Sequence, residues 1–223
     1  MFYKGDINVI LPTIQKYKMI MTSPPYWKGF EYDSFNSYQQ YLEWCDKWIK
    51  QIKNNLDDDG YFFLNIANDS ETPIKAFELM NIGCKYFRLI DTIIWYCYNR
   101  QPHNTNRSLT NQTEYLFLFR HNTANIYFNK ELVMKNYPEI FDTKNVGNVW
   151  KIPFKSSKET KIKKSIGKWG SSGFPEKLVE ICILLTTNEN DKILDCFCGT
   201  KTLLNVGEKL KRISDGIDLI DYD

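Results

Sequence analysis

Two short segments carry residue types that can do chemistry. The first is Thr22-Ser23-Pro24-Pro25-Tyr26-Trp27. Consecutive prolines remove two backbone donors and fix the chain, so nearby carbonyls can face a cleft without internal partners. The Ser23 hydroxyl and the Pro24 carbonyl, side by side, can accept both hydrogens of an exocyclic amine. Tyr26, just beyond, offers a flat face on which a base can stack. A plain Pro-Pro turn with a surface aromatic is the alternative. The second segment is Asp195-Cys196-Phe197-Cys198-Gly199-Thr200, followed by Gly216-Ile217-Asp218. A glycine turn opening a helix admits close approach of a ligand. An acid about 20 residues on suits a ribose diol. Here the alternative is an ordinary strand-to-helix turn.

A third segment stands out by charge. Between Lys144 and Lys168 there are eight lysines and one acid, Glu159, with Trp150 and Phe154 interleaved. Such a run is either a solvated basic loop or a phosphate-contacting insertion. The chain as a whole decides nothing, because 29 Lys and Arg nearly cancel 27 Asp and Glu. Cys45, Cys84, Cys97, Cys182, Cys196 and Cys198 are scattered through 223 residues and read as free thiols of a reducing compartment. Cys196 and Cys198 have no second cysteine pair or nearby histidine, so no metal is expected. Residues 1–18 are broken by Lys4, Asp6, Pro12 and Lys16, which is no secretory signal. No run reaches the roughly 18 apolar residues that span a bilayer. The expectation is a soluble cytoplasmic protein.

Both motifs need elements to hold them. Residues 18–22 form an apolar run stopped by Ser23-Pro24-Pro25, a buried strand ending in a sharp turn. Over residues 37–54, Tyr38, Tyr41, Leu42, Cys45, Trp48, Ile49 and Ile52 recur at helical spacing. Residues 57–60 (DDDG) read as a turn, and 61–66 as a second buried strand. Thr72-Pro73 opens a helix that closes near Gly83. Residues 87–98 and 114–119 read as strands joined by a polar loop over 99–113. Helices are expected over 176–185 and from 200 to about 210, with strands at 192–194 and 213–217. Strand and helix in alternation mean α/β with a largely parallel twisted sheet flanked by helices. The 223 residues read as one domain, with 121–170 as the basic insertion within it.

In this order the motifs resemble the S-adenosylmethionine-dependent amino DNA methyltransferases, in the circularly permuted arrangement where Ser-Pro-Pro-Tyr precedes the cofactor loop. Tyr3-Lys4-Gly5-Asp6 is similar to the family's opening. Residues 147–153 (GNVWKIP) and 174–178 (FPEKL) resemble the segments leading to the helix beside the methionine. Asp195-Cys196-Phe197-Cys198-Gly199-Thr200 corresponds to the family's Asp-Pro-Phe-x-Gly-Ser. The resemblance implies a permuted Rossmann-like methyltransferase fold. It implies that Ser23, Pro24, Pro25 and Tyr26 form the catalytic pocket for a flipped base. It implies that Asp6, Ser23, Phe174, Asp195, Cys196, Phe197, Gly199, Thr200 and Asp218 hold the cofactor. Lys151, Lys155, Lys158, Lys161, Lys163 and Lys164, with residues 99–113, then become the DNA-gripping part. Ser before Pro-Pro leans towards cytosine N4 as acceptor. Adenine N6 is the alternative, as is a degenerate non-catalytic DNA-binding subunit. A cognate restriction endonuclease is an implied partner. The chain departs from the pattern at Cys196, at Lys201 where the family has a glycine, and at Leu203.

Overall fold

The computed structural model describes residues 1–27, 35–100, 109–121, 127–141, 145–154 and 173–221. Among them, eight strands form one sheet: β1 (Phe2–Lys4), β2 (Tyr17–Thr22), β3 (Leu56–Ile66), β4 (Arg88–Tyr96), β5 (Thr113–Arg120), β6 (Val149–Lys151), β7 (Lys192–Asp195) and β8 (Ile213–Asp218). The spatial order is β1-β8-β7-β2-β3-β5-β4-β6. Strand β5 alone runs against its neighbours β3 and β4, and every other pairing is parallel. The largely parallel α/β sheet expected from the strand–helix alternation is therefore observed.

The central strands are apolar on both sides because both faces are covered. In β3, Tyr61 and Phe63 point into one core, while Phe62, Leu64 and Ile66 point into the other. In β5, Leu116 and Leu118 face the first core and Phe117 and Phe119 the second. The second core is covered by α1 (Ile7–Ile10), α2 (Tyr38–Asn55) and α3 (Lys75–Cys84). The first is covered by α4 (Lys130–Asn136), α5 (Glu176–Thr186) and α6 (Thr202–Lys209). Helix α2 begins where Ser37 accepts from Gln40 N at 3.2 Å, a side-chain cap for an otherwise orphan donor. It buries Tyr41, Cys45, Trp48, Ile49 and Ile52 as one stripe.

Two local expectations shift. The turn expected at 57–60 is an irregular stretch of β3, where the register jumps from Tyr17 opposite Leu56 to Met19 opposite Tyr61. Helix α3 starts at Lys75 rather than Thr72, because Asp69 Oδ1 already accepts from Glu71 N at 3.0 Å and Thr72 N at 2.8 Å and holds a turn there. Within 121–170, the described parts pack on the sheet: Val133, Tyr137, Phe141, Val146, Trp150 and Ile152 are core residues. Trp150, placed among the basic-stretch aromatics, is 1% exposed and donates Nε1–H to the Gly147 carbonyl at 2.8 Å.

Candidate functional site

Strand β2 ends at Thr22, β7 at Asp195 and β8 at Asp218, so both motifs arrive on one edge of the sheet. The chain leaves β2 towards β3 and leaves β7 towards β8, in opposite directions along the sheet. Divergence of that kind opens a crevice between the carboxyl ends of two neighbouring strands. One hydrogen bond spans it, from Thr22 Oγ1 to Asp195 Oδ1 at 3.0 Å.

On the β7–β8 side the loop is tightly drawn. Asp195 is 2% exposed, and its Oδ1 also accepts from Phe197 N at 3.1 Å. Burial pushes its carboxyl up from 3.8 to about 7, against the two donors that favour the ionised form. Gly199 adopts φ +46°, a left-handed conformation open to glycine, and its N–H donates to Asp218 Oδ2 at 2.8 Å. Asp218 Oδ1 accepts from Ile220 N at 3.0 Å, and the Asp218 carbonyl accepts from Gly5 N at 2.9 Å. The loop lies against β8 so closely that a Cβ on Gly216 would sit 2.8 Å from both Cys198 Sγ and Leu204 Cδ1. Thr200 Oγ1 is buried and hydrogen-bonds to nothing among the described residues. A buried orphan hydroxyl beside an acid and a glycine turn fits a polar ligand laid on the start of α6.

Four other residues expected on this side are held by capping or packing contacts. Asp6 is exposed at the end of β1 and caps α1, its Oδ1 accepting from Asn8 N at 2.8 Å. Phe174 is 6% exposed and packs in the core ahead of α5. Cys196 is fully buried. The Phe197 ring lies 5.5 Å from Trp44 and 5.4 Å from Trp48, packed on α2. Lys201 also takes a left-handed conformation, at φ +59°. Its ammonium pairs with Asp221 at 2.9 Å and lies 4.7 Å from the centre of the Phe2 ring.

On the β2 side the Ser23–Trp27 segment is clamped at several atoms. Tyr41 donates its hydroxyl to the Pro25 carbonyl at 2.8 Å. Lys75 Nζ, fully buried, donates to the Tyr26 carbonyl and to Asp69 Oδ2, each at 2.6 Å. Trp27 turns away at φ +46° and stacks 6.1 Å from Tyr41. Ser23 Oγ donates to Tyr26 Oη at 3.0 Å, and that hydroxyl lies 3.0 Å from both Asn65 Oδ1 and Glu114 Oε2. The amide is oriented by Asn65 Nδ2, which donates to the Tyr115 carbonyl at 3.1 Å. Arg100 pairs with Glu114 Oε1. Burial and the Glu114 carboxylate together hold the Tyr26 phenol well above the ordinary tyrosine range.

The motifs are thus brought together as their spacing implied, but their support comes from residues the motifs do not contain: Asn65, Lys75, Arg100 and Glu114. Two of these leave a signal in the sequence. Glu114 shares the inward register of Leu116 and Leu118, and Lys75 stands beside Ala76 and Leu79 on a helix that buries both. A charge at an inward position is rarely buried unless paired or used. Asn65 and Arg100 leave none. Among the DNA-directed lysines, Lys151 is exposed at the end of β6, opposite Tyr96 and on the same edge as Ser23. Lys155, Lys158, Lys161, Lys163 and Lys164 lie outside the described residues.

Comparison with known proteins assigns the chain to a family. The N6/N4 methylase family model, described as "DNA methylase", matches residues 17–222. Type II methyltransferase M.MwoI of Methanothermobacter wolfeii is 28% identical over 93% of this chain, which spans 30% of that protein. Type II methyltransferase M2.DpnII of Streptococcus pneumoniae is 29% identical over 90% of the chain and 76% of its own length. The solved PvuII DNA methyltransferase, described as cytosine-N4-specific, superposes with a TM-score of 0.78 at 21% identity, covering 98% of this chain and 81% of that one. M1.HpyAVI, solved as a complex with SAM, superposes with a TM-score of 0.70 at 22% identity, covering 99% and 94%. With its family model matched from β2 to beyond β8, this chain belongs to the N6/N4 DNA methylase family.

Proposed function

We propose that this protein transfers a methyl group from S-adenosylmethionine to the exocyclic amine of a DNA base, with cytosine N4 as the favoured acceptor. The observation that carries this reading is the crossing hydrogen bond from Thr22 to Asp195, which sets the amine-binding turn and the glycine loop side by side in one crevice. Ser23 Oγ and the Pro24 carbonyl accept the amine hydrogens and aim the nitrogen lone pair across the crevice. Tyr26 walls the base pocket. Asp195, Gly199, Thr200 and Asp218 line the cofactor side, with Thr200 Oγ1 as a buried hydroxyl that has no hydrogen-bond partner among the described residues. Bound there, the cofactor supplies an electrophilic methyl group on a good leaving group, so the protein's task is alignment and charge placement. The Ser before Pro-Pro supports cytosine, and so does the description of PvuII methyltransferase as cytosine-N4-specific.

Lys151 and the lysines from 155 to 164 would grip phosphates beside the pocket. A restriction endonuclease reading the same site is the partner this activity implies. Methylation of mixed-sequence DNA, followed by nucleoside mass spectrometry, tests the reading. N4-methyldeoxycytidine is the expected product. N6-methyldeoxyadenosine would reassign the base, and DNA binding with no transfer would point to a non-catalytic subunit.

A further inference from the structure

Methylation of an amine leaves a proton to be disposed of. The nitrogen that gains a fourth bond becomes a strong acid, yet a serine hydroxyl is a very weak base. Ser23 can orient the amine but cannot keep its proton. The side chains behind Ser23 offer a path. Its hydroxyl donates to Tyr26 Oη at 3.0 Å, and Tyr26 Oη lies 3.0 Å from Glu114 Oε2. The donors run one way, away from the pocket, and end on a carboxylate that is 4% exposed. Three elements meet to build it: the turn after β2, the end of β3 through Asn65, and the start of β5 through Glu114.

We infer that Ser23, Tyr26 and Glu114 form a proton relay that carries the amine proton out of the base pocket during methyl transfer, a role that rests on the methyltransferase reading above. The steps balance. The nitrogen lone pair bonds to the methyl carbon, and the electron pair of the broken S–C bond stays on sulfur. The N–H bond breaks and its proton goes to Ser23 Oγ. The former Ser23 hydrogen passes to Tyr26 Oη, and the former Tyr26 hydrogen passes to Glu114 Oε2. Both hydroxyls are regenerated, each turned back towards the pocket, and Glu114 ends as the neutral acid.

Asn65 has a part in the reset. Its Oδ1 stands 3.0 Å from Tyr26 Oη as a second acceptor, so the phenol hydrogen has somewhere to swing while the chain reorients. Arg100 closes the far end against Glu114 with a side chain that is 22% exposed, so the chain of donors ends near the surface. Among the described residues, the charged and titratable groups facing this chain are Cys97 and Arg100 from the segment after β4, Tyr41 from α2, and Lys75 from α3, whose Nζ lies 5.7 Å from the centre of the Tyr26 ring. Glu114 and Tyr26 act through Ser23 and are positioning residues in this sense.

The test is single-turnover methyl transfer with saturating cofactor and DNA, across a range of pH, in wild type, Tyr26→Phe, Glu114→Gln and Glu114→Asp. General acid–base assistance contributes typically 10²–10⁴-fold. Tyr26→Phe and Glu114→Gln are therefore each expected to slow transfer about a hundredfold, with cofactor and DNA affinities within about threefold. The double variant is expected to be no slower than the singles, because one relay is cut twice. Glu114→Asp restores part of the rate. Wild-type rates in Tyr26→Phe overturn the relay and leave the methyltransferase reading standing. A Glu114→Gln variant that loses affinity in step with rate, or a Glu114→Asp variant no faster than Glu114→Gln, assigns Glu114 a structural role only and also overturns it. If Glu114→Gln fails to fold, Tyr26→Phe, which keeps the ring, decides alone. Wild-type protein that transfers no methyl group to any DNA overturns both readings together.

Discussion

Asp195→Asn isolates the cost of the buried acid at the centre of the crevice. Asp195 is 2% exposed, and burial raises its carboxyl from 3.8 to about 7. A carboxyl raised in this way keeps its proton in the folded state over a range where the unfolded chain has lost it. Its contribution to stability is full below the unfolded value and is lost as pH rises through the folded one. The whole gap corresponds to about 4 kcal/mol, and the part falling between pH 5 and 8 to about 2.5 kcal/mol. Asparagine keeps an Oδ1 acceptor for Thr22 Oγ1 and Phe197 N, the two groups that now bond Asp195, and carries no charge. Chemical denaturation at 25 °C, at pH 5, 6, 7 and 8, is the assay. Against the background shared by both proteins, wild type is expected to lose about 2.5 kcal/mol more than the variant from pH 5 to 8. Stability curves that stay parallel within about 0.5 kcal/mol would refute the reasoning, because the buried carboxyl would then titrate alike in folded and unfolded chains. The same charge that weakens the fold at pH 8 is the one a ligand ammonium would meet, so cofactor affinity is expected to rise over this range in wild type and to be flat in the variant.

Ser23→Ala should lower turnover by roughly a hundredfold or more while cofactor binding, measured by calorimetry, changes little; near-normal turnover would remove Ser23 from the mechanism. Replacing Lys161, Lys163 and Lys164 with Gln should weaken DNA binding for all sequences and flatten its salt dependence by roughly one unit of slope per lost contact. An unchanged slope would make these lysines solvating residues. Lys201→Gly relieves a left-handed backbone at a cost of about 1–2 kcal/mol but forfeits the Asp221 pair and the Phe2 contact, each worth up to about 1 kcal/mol at a surface. Since that ammonium is tied to Asp221, cofactor affinity should move by less than about threefold, and a tenfold tightening would show that its charge reaches the pocket.

How much of this was legible in the sequence follows from how far apart the cooperating residues lie. Strands β2, β3, β5 and β7 announce themselves because burial on both faces makes them unbroken apolar runs. Helix α2 does so because its stripe extends over five buried positions. By contrast β1, α1 and β6, at three or four residues each, are too short to show a period, and α4 buries Val133 alone. The 57–60 segment reads as a turn because Asp and Gly favour one, yet pairing with β2 draws it into the ladder as an irregularity. In the site, Ser23, Asp195, Gly199 and Asp218 are visible since a turn at a strand end is encoded locally. The clamp around Tyr26 is not, because Asn65, Lys75, Arg100 and Glu114 come from elements whose neighbourhood is fixed only once the sheet has formed.

The reversed strand β5 has a consequence for how such a protein can change. Being antiparallel to both neighbours, it starts where they end, so Glu114 reaches the edge that carries both motifs from the opposite direction to Thr22 and Asp195. Its place is fixed by the ladder opposite Trp95, not by the segment that joins the two strands. That joining segment leaves and re-enters the sheet at the same rim. Lengthening such a connection adds only about 0.6 kcal/mol per doubling. On the proposal that this segment grips DNA, new contacts can be tried there, insertion by insertion, while the acid stays opposite the same tryptophan. The connection is free to drift and the position of Glu114 is not, and the anchor of that separation is a single strand laid the other way round.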